Sequence, residues 1–201
     1  MTEGYIKFNC VWDQKEIGIP EDLFQTLENS RSRLYELGLI GMYPDGIGFG
    51  NISVRSDDGS FIITGTATGQ FAHLNQSHYA IVSGYNFGQN SITCAGITKA
   101  SAESLTHAAV YEALPEVGAV VHIHCLWLWE KLLNEYPTTS GEIEYGTPEM
   151  AVAIQQLISG MNVDEKIIVM GGHREGILAF GSDLNEVTPE IIKIYNEYQN
   201  D

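Results

Sequence analysis

With 201 residues, 44% of them hydrophobic and 18% charged, the chain suits one globular domain and excludes a disordered class. Its 26 acidic against 10 basic side chains give a formal charge of −16, a field that disfavours nucleic acid and anionic membrane surfaces as partners. Cys10, Cys94 and Cys125 are scattered and form no CxxC pair, no stretch of about 18 apolar residues occurs, and Met1–Tyr5 lacks a basic start leading into an apolar run. A cytoplasmic protein with no disulfide scaffold, leader or membrane span is therefore expected.

Residues 1–20 read as an N-terminal extension to one domain that fills 1–201. Pro20-Glu21-Asp22 opens a helix, in which Leu23, Leu27, Leu34 and Leu37 recur at helical spacing before Gly38 and Gly41 end it. The glycine-dense run Gly46–Asn51 leads into a strand, Ile52–Arg55. Asp57-Asp58-Gly59-Ser60 turns it into a second strand, Phe61–Thr64, followed by the loop Gly65-Thr66-Ala67-Thr68-Gly69. A strand near Tyr79–Val82 and a helix from about Ala102 to Leu114 come next. Helices over Leu126–Leu133 and Met150–Ile158, strands over Ile167–Met170 and Ile177–Phe180, and a last helix from Pro189 through Tyr198 complete the pattern. The irregular mixture of strands and helices predicts a central, mostly antiparallel sheet flanked by helices.

The most informative stretch is Val120-Val121-His122-Ile123-His124-Cys125. Its apolar, β-branched start argues for a buried strand, and in a strand residues i and i+2 share a face. His122 and His124 then stand side by side, whereas on a helix they would be roughly 200° apart. Two imidazoles in an apolar strand need partners; a divalent cation satisfies both, and hydrogen bonds inside the core are the alternative. Glu103 opens the preceding helix, where a carboxylate also suits the helix dipole. His173 follows Gly171-Gly172 at a strand end, where an ordinary loop histidine is the plainer explanation.

In order, the chain spells Gly-Asn-Ile-Ser-Val-Arg at 50–55, Thr68-Gly69, Glu103 with His107 four later, His122-x-His124, and Gly-Gly-His173. From about Phe24 to Tyr195 it resembles the class II aldolase/adducin family, whose zinc enzymes cleave or rearrange sugar phosphates. The resemblance implies a three-layer α/β/α domain around a largely antiparallel sheet, and a homotetramer with sites near subunit interfaces. It implies His122, His124 and His173 as zinc ligands, and Glu103 as a resting ligand and acid/base. Asn51, Thr68, Gly69 and Ser101 would hold the phosphate or carboxylate of a small-molecule substrate. Three histidines leave a position open for substrate, as a catalytic zinc requires, and an ion there would stabilise the enediolate formed beside a carbonyl.

Two departures bear on the substrate. Ser101-Ala102 stands where phosphate-specific members carry two serines, and the 64–69 loop is longer than in the sugar-phosphate aldolases. A phosphate, a carboxylate or a neutral polyol tail therefore all stay open. No catalytic tyrosine is assigned; Tyr195 and Tyr198 are candidates by location only, and both suit packing. His107 fits a structural role on its helix, His73 and His78 a solvent-facing one, and Cys125 a core thiol on the opposite strand face from His124. Trp127 and Trp129 suit packing. Among Arg55, Lys99 and Arg174, the last is the candidate for meeting an anion, with a solvated surface arginine as the alternative. An aldolase-type lyase leads; an epimerase, dehydratase or decarboxylase would share its chemistry. A non-catalytic adducin-like assembly domain and a structural metal domain are the other classes.

Overall fold

The computed structural model describes residues 6–199; Met1–Tyr5, where the sequence predicts no leader, and Asn200–Asp201 lie outside the described residues. In chain order come β1 (Asn9–Asp13), α1 (Glu21–Glu36), β2 (Gly41–Met42), β3 (Gly48–Phe49), β4 (Asn51–Arg55) and β5 (Phe61–Thr64). After a 3-10 turn at Gln76–His78 follow β6 (Tyr79–Asn86), β7 (Ser91–Ala95), α2 (Ser104–Ala113), β8 (Ala119–His124) and α3 (Leu126–Leu132). The chain continues through α4 (Pro148–Gly160), β9 (Ile167–Val169), β10 (Gly176–Gly181) and α5 (Leu184–Gln199).

Eight strands form one sheet in the order β1-β7-β6-β5-β4-β8-β10-β9, antiparallel at every pairing except the parallel β1–β7 edge. Alternation along the strands splits the apolar side chains between two cores. Val120 faces one with Leu105, Ala108 and Ala109 of α2 and Met150 and Ile154 of α4. Val121 and Ile123 face the other with Leu27 and Leu34 of α1, Leu128 of α3 and Ile191 of α5. The result is the expected α/β/α layering, and Cys125 lies in the second core, on the face predicted for it.

The end of α1 shows how local sequence sets the frame. Gly38 adopts φ +70° and donates to Tyr35 O at 2.9 Å, while Leu39 N–H reaches Leu34 O at 2.9 Å. That is a Schellman cap, with Leu34 and Leu39 closing the same core above it. Each fully buried leucine here contributes roughly 1.5–3 kcal/mol.

Three boundaries differ from the sequence expectation. The stretch read as an extension supplies β1, which pairs with β7 over Asn9–Asp13; the strand near Tyr79–Val82 runs on to Asn86. Helix α5 begins at Leu184, not Pro189, because Asp183 Oδ1 accepts the Glu186 N–H at 3.0 Å and caps it. Pro189 is carried inside the helix, at the loss of one backbone hydrogen bond.

Candidate metal centre and cleft

Strand β8 and the tight turn between β9 and β10 bring the three predicted histidines together. The imidazole centroids of His122, His124 and His173 form a near-equilateral triangle with sides of 4.8, 4.7 and 5.0 Å. One ligand atom from each lies within 4.8 Å of the others, and all three residues are buried. Gly176 makes this possible: a Cβ there would stand 3.0 Å from both His122 Cε1 and His173 Nδ1.

Hydrogen bonds fix what two of the rings present. His122 Nδ1 lies 3.2 Å from Ile177 O, which only accepts, so Nδ1 carries the proton and Nε2 the lone pair. His124 Nδ1 lies 2.9 Å from Tyr43 Oη, whose own proton goes to Glu175 Oε2 at 2.7 Å. His124 Nδ1 is therefore the donor, and its Nε2 is also unprotonated. These two unprotonated nitrogens face each other at 3.0 Å. Lone pairs so placed repel unless a cation joins them. Zinc bonded to imidazole nitrogen at about 2.0–2.1 Å in a tetrahedron would set them about 3.3 Å apart. Burial, then the neighbouring imidazoles, hold His122 and His124 well below the ordinary histidine pKa, so both rings are in the neutral, ligating form. The donor set fits a divalent metal.

Glu103 sits immediately before α2, 3% exposed, with Oε2 accepting the Thr106 hydroxyl at 2.6 Å and Oε1 3.9 Å from His173 Nδ1. Tyr145, in the loop before α4, stacks on the His173 ring at 4.4 Å and 22°. Lys7 lies 3.8 Å above the Tyr145 ring. An open cleft of about 190 Å³ runs from these groups to the surface. All the predicted substrate residues line it: Asn51, Thr68, Gly69 and Ser101, with Glu103 and His122 at its floor.

No lysine or arginine is among the lining residues, so any anionic tail would be met by backbone N–H groups and hydroxyls. Asn51 Oδ1 is buried with no hydrogen-bond partner among the described residues, which leaves it as an acceptor for a ligand hydroxyl. Thr68 donates its hydroxyl proton to Gly65 O at 2.8 Å and so shapes the loop. Gly69 is there for close approach: a Cβ would come within 2.0 Å of Gly41 O.

Behind the cleft lies a residue the sequence did not single out. Arg31 of α1 is 1% exposed and turns its guanidinium onto the carbonyls of Thr68 at 3.3 Å, Ala72 at 2.8 Å and Phe71. It fixes the downstream end of the glycine-threonine loop. Tyr43 and Glu175 were missed as well, and Glu175 is a non-glycine residue at φ +78°, a conformation that costs about 1–3 kcal/mol.

The remaining predicted residues take structural places. Arg174 is exposed and absent from the cleft lining, as the solvated alternative has it. Arg55 reaches the carbonyls of Tyr111, Leu114 and Pro115 at the end of α2. Lys99 lies over the Trp12 ring at 5.1 Å. His107 is buried, with Nδ1 2.7 Å from Ser53 Oγ, which lies 2.8 Å from Tyr111 Oη. Burial pushes its pKa down to about 3. His73 is exposed; His78 is half-buried and stacks on Phe71 at 4.7 Å. Trp127 packs on Tyr195 at 5.2 Å, and Trp129 Nε1 donates to Met170 O at 3.0 Å. No helix of the described residues is long and apolar enough to cross a membrane.

Comparison with known proteins places the fold and the family. A search of the curated proteins finds no sequence match. Among solved structures, an L-fuculose 1-phosphate aldolase superposes with a TM-score of 0.66 at 18% identity, covering 90% of this chain and 86% of that one. L-fuculose-1-phosphate aldolase from Thermus thermophilus gives 0.63 at 20% identity, over 88% and 90%. YgbL from Escherichia coli, for which aldolase, epimerase and decarboxylase roles are offered as alternatives, gives 0.64 at 18%, over 89% and 87%. These likenesses show the fold. The sequence profile of the Class II Aldolase and Adducin N-terminal domain family matches residues 45–194, and the chain belongs to that family.

Proposed function

We propose that the protein is a divalent-metal-dependent lyase of the aldolase type, acting on a small hydroxylated carbonyl compound. The observation that carries this reading is the 3.0 Å approach of the His122 and His124 Nε2 atoms, with His122 in the lining of an open cleft and a buried carboxylate beside the third histidine. In this reading His122, His124 and His173 hold the metal, most naturally zinc, and leave one position facing the cleft. The metal supplies positive charge beside the substrate's carbonyl oxygen.

The chain's own residues do the rest. Glu103, shielded from water and oriented by Thr106, moves the proton at the carbon next to the carbonyl. Asn51, Ser101 and the backbone of the 65–69 loop orient the substrate's tail without a cationic side chain. Tyr145 forms an aromatic wall over His173 that keeps water from that side. The tail can be a phosphate, as in the sugar phosphates named for the two aldolases above, a carboxylate or a neutral polyol. A cytoplasmic homotetramer belongs to the same proposal; the acidic surface also argues against nucleic acid as a partner.

The likeness to YgbL supports a second reading, an epimerase, dehydratase or decarboxylase using the same centre. An adducin-like assembly module is disfavoured because the buried histidines and Glu103 are all retained. Exchange of deuterium into candidate hydroxyketones and hydroxyacids, phosphorylated and not, tests the proposal. Wild-type protein should catalyse it, and Glu103→Gln should slow it by at least about 10²-fold, the usual share of a positioned acid/base. Full-rate exchange in Glu103→Gln contradicts the assignment.

A further inference from the structure

We infer that Tyr43 and Glu175 form a charged relay that positions His124 and strengthens its hold on the metal. The inference rests on the metal reading above and extends it to two residues outside the ligand set. His124 Nδ1–H donates to Tyr43 Oη at 2.9 Å, and Tyr43 donates to Glu175 Oε2 at 2.7 Å. An ionised carboxylate only accepts, so the direction of both bonds is set from the Glu175 end. The contrast with His122 is informative, because its Nδ1 meets the neutral carbonyl of Ile177. One ligand thus leans on a peptide dipole and its neighbour on a full negative charge passed through a phenol. Such a charge increases the electron density that the imidazole offers from its opposite nitrogen.

The backbone around the relay is built for it. Glu175 occupies the left-handed region at φ +78°, where glycine would sit without strain. The chain keeps a long acidic side chain there, immediately before Gly176. Glu175 O also accepts the Cys125 N–H at 3.0 Å, which ties the turn to the residue after His124. Tyr43 is fixed in the β2–β3 hairpin by its N–H to Ile47 O at 2.8 Å and by the Phe49 ring at 4.5 Å. Phe49 in turn lies 5.5 Å from the His124 ring. Both ends of the relay are therefore held independently of the metal. A strained backbone carrying a partly buried carboxylate, aimed through a phenol at a buried ligand, is the pattern of a positioning device.

The test is zinc affinity, measured on the full chain by competition with a chromophoric chelator, with the cobalt(II) absorption spectrum as a second readout. Tyr43→Phe and Glu175→Gln should each weaken zinc binding by about 10–100-fold, the usual effect of removing an outer partner of a metal-bound histidine. The double variant should be no worse than the weaker single, since both changes break one chain of bonds. Glu175→Gly relaxes the turn, so its metal-free form should stay folded and melt no lower than wild type, yet lose the same affinity. A residue with only a structural role would not separate stability from affinity in this way. Zinc constants within twofold of wild type in all the variants, with an unchanged cobalt spectrum, would overturn the relay. If wild-type protein itself takes up no zinc, the metal reading fails first and the relay with it.

Discussion

Arg31 reaches from α1 to the backbone of Thr68, guanidinium to carbonyl at 3.3 Å, and so links the helical layer to the loop that forms one wall of the cleft. It is 1% exposed, and its bonds to Phe71 and Ala72 leave little room for a substitute. Burial lowers its pKa, and neighbouring Glu28 opposes that shift. Replacing it by methionine would keep most of the volume and remove all three bonds. Arg31→Met should destabilise the protein by about 2–4 kcal/mol in urea unfolding, because a hydrogen bond from a charged group contributes about 1.5–3 kcal/mol. Arg31→Lys should recover only part of the loss, since one ammonium does not reproduce the planar fork. A midpoint unchanged in Arg31→Met would show that the loop holds itself.

Gly69 presents a sharper steric case. Its missing Cβ would sit 2.0 Å from Gly41 O and 2.9 Å from Gly48 Cα, both backbone atoms that cannot swing aside. Gly69→Ala should therefore cost about 1–3 kcal/mol, or more if the β2–β3 hairpin has to separate from the loop. Thermal unfolding measures the cost, and hydrogen exchange should show the added mobility confined to the 41–50 and 65–72 segments. Wild-type stability in this variant would mean that the two loops do not touch in solution.

Acid should unfold the metal-free protein partly through His107. Its imidazole titrates near 3 when folded against an ordinary value of 6.5, so between these values the unfolded chain binds a proton that the native chain does not. Stability is then complete above pH 6.5 and falls as pH drops toward 3, by up to about 5 kcal/mol at the lower limit. His122 and His124 titrate in the same direction and add to the slope. Unfolding free energies of metal-free protein from pH 7 to 4.5 should drop more steeply in wild type than in His107→Asn, which keeps an amide near Ser53 and carries no titrating proton. Parallel slopes would show that His107 is not held neutral.

The residues of the candidate site were more legible in the sequence than those that support them. Period-two alternation put His122 and His124 on one face of β8, and the structure has their Nε2 atoms 3.0 Å apart. The order of the motifs put Glu103, Asn51, Thr68, Gly69 and Ser101 around one cleft, whose lining includes all five, and His173 beside the histidine pair, where its ring lies. Edge strand β1 escaped because Asn9–Asp13 alternates with only one flank covered, leaving Val11 exposed. Pro189 misled because proline favours a helix start, yet the Asp183 cap set the boundary. Arg31, Tyr43 and Glu175 act through contacts 37, 81 and 132 residues apart in sequence, and no local pattern announces such pairings.

In the proposed centre, three buried imidazoles converge on one divalent cation and leave it accessible to substrate. Metal analysis of untagged protein after zinc loading and exhaustive dialysis tests it most directly. One zinc per chain is expected in wild type, and loss of that zinc in His122→Ala and His124→Ala while both variants stay folded. A folded wild-type protein that emerges free of metal would contradict it.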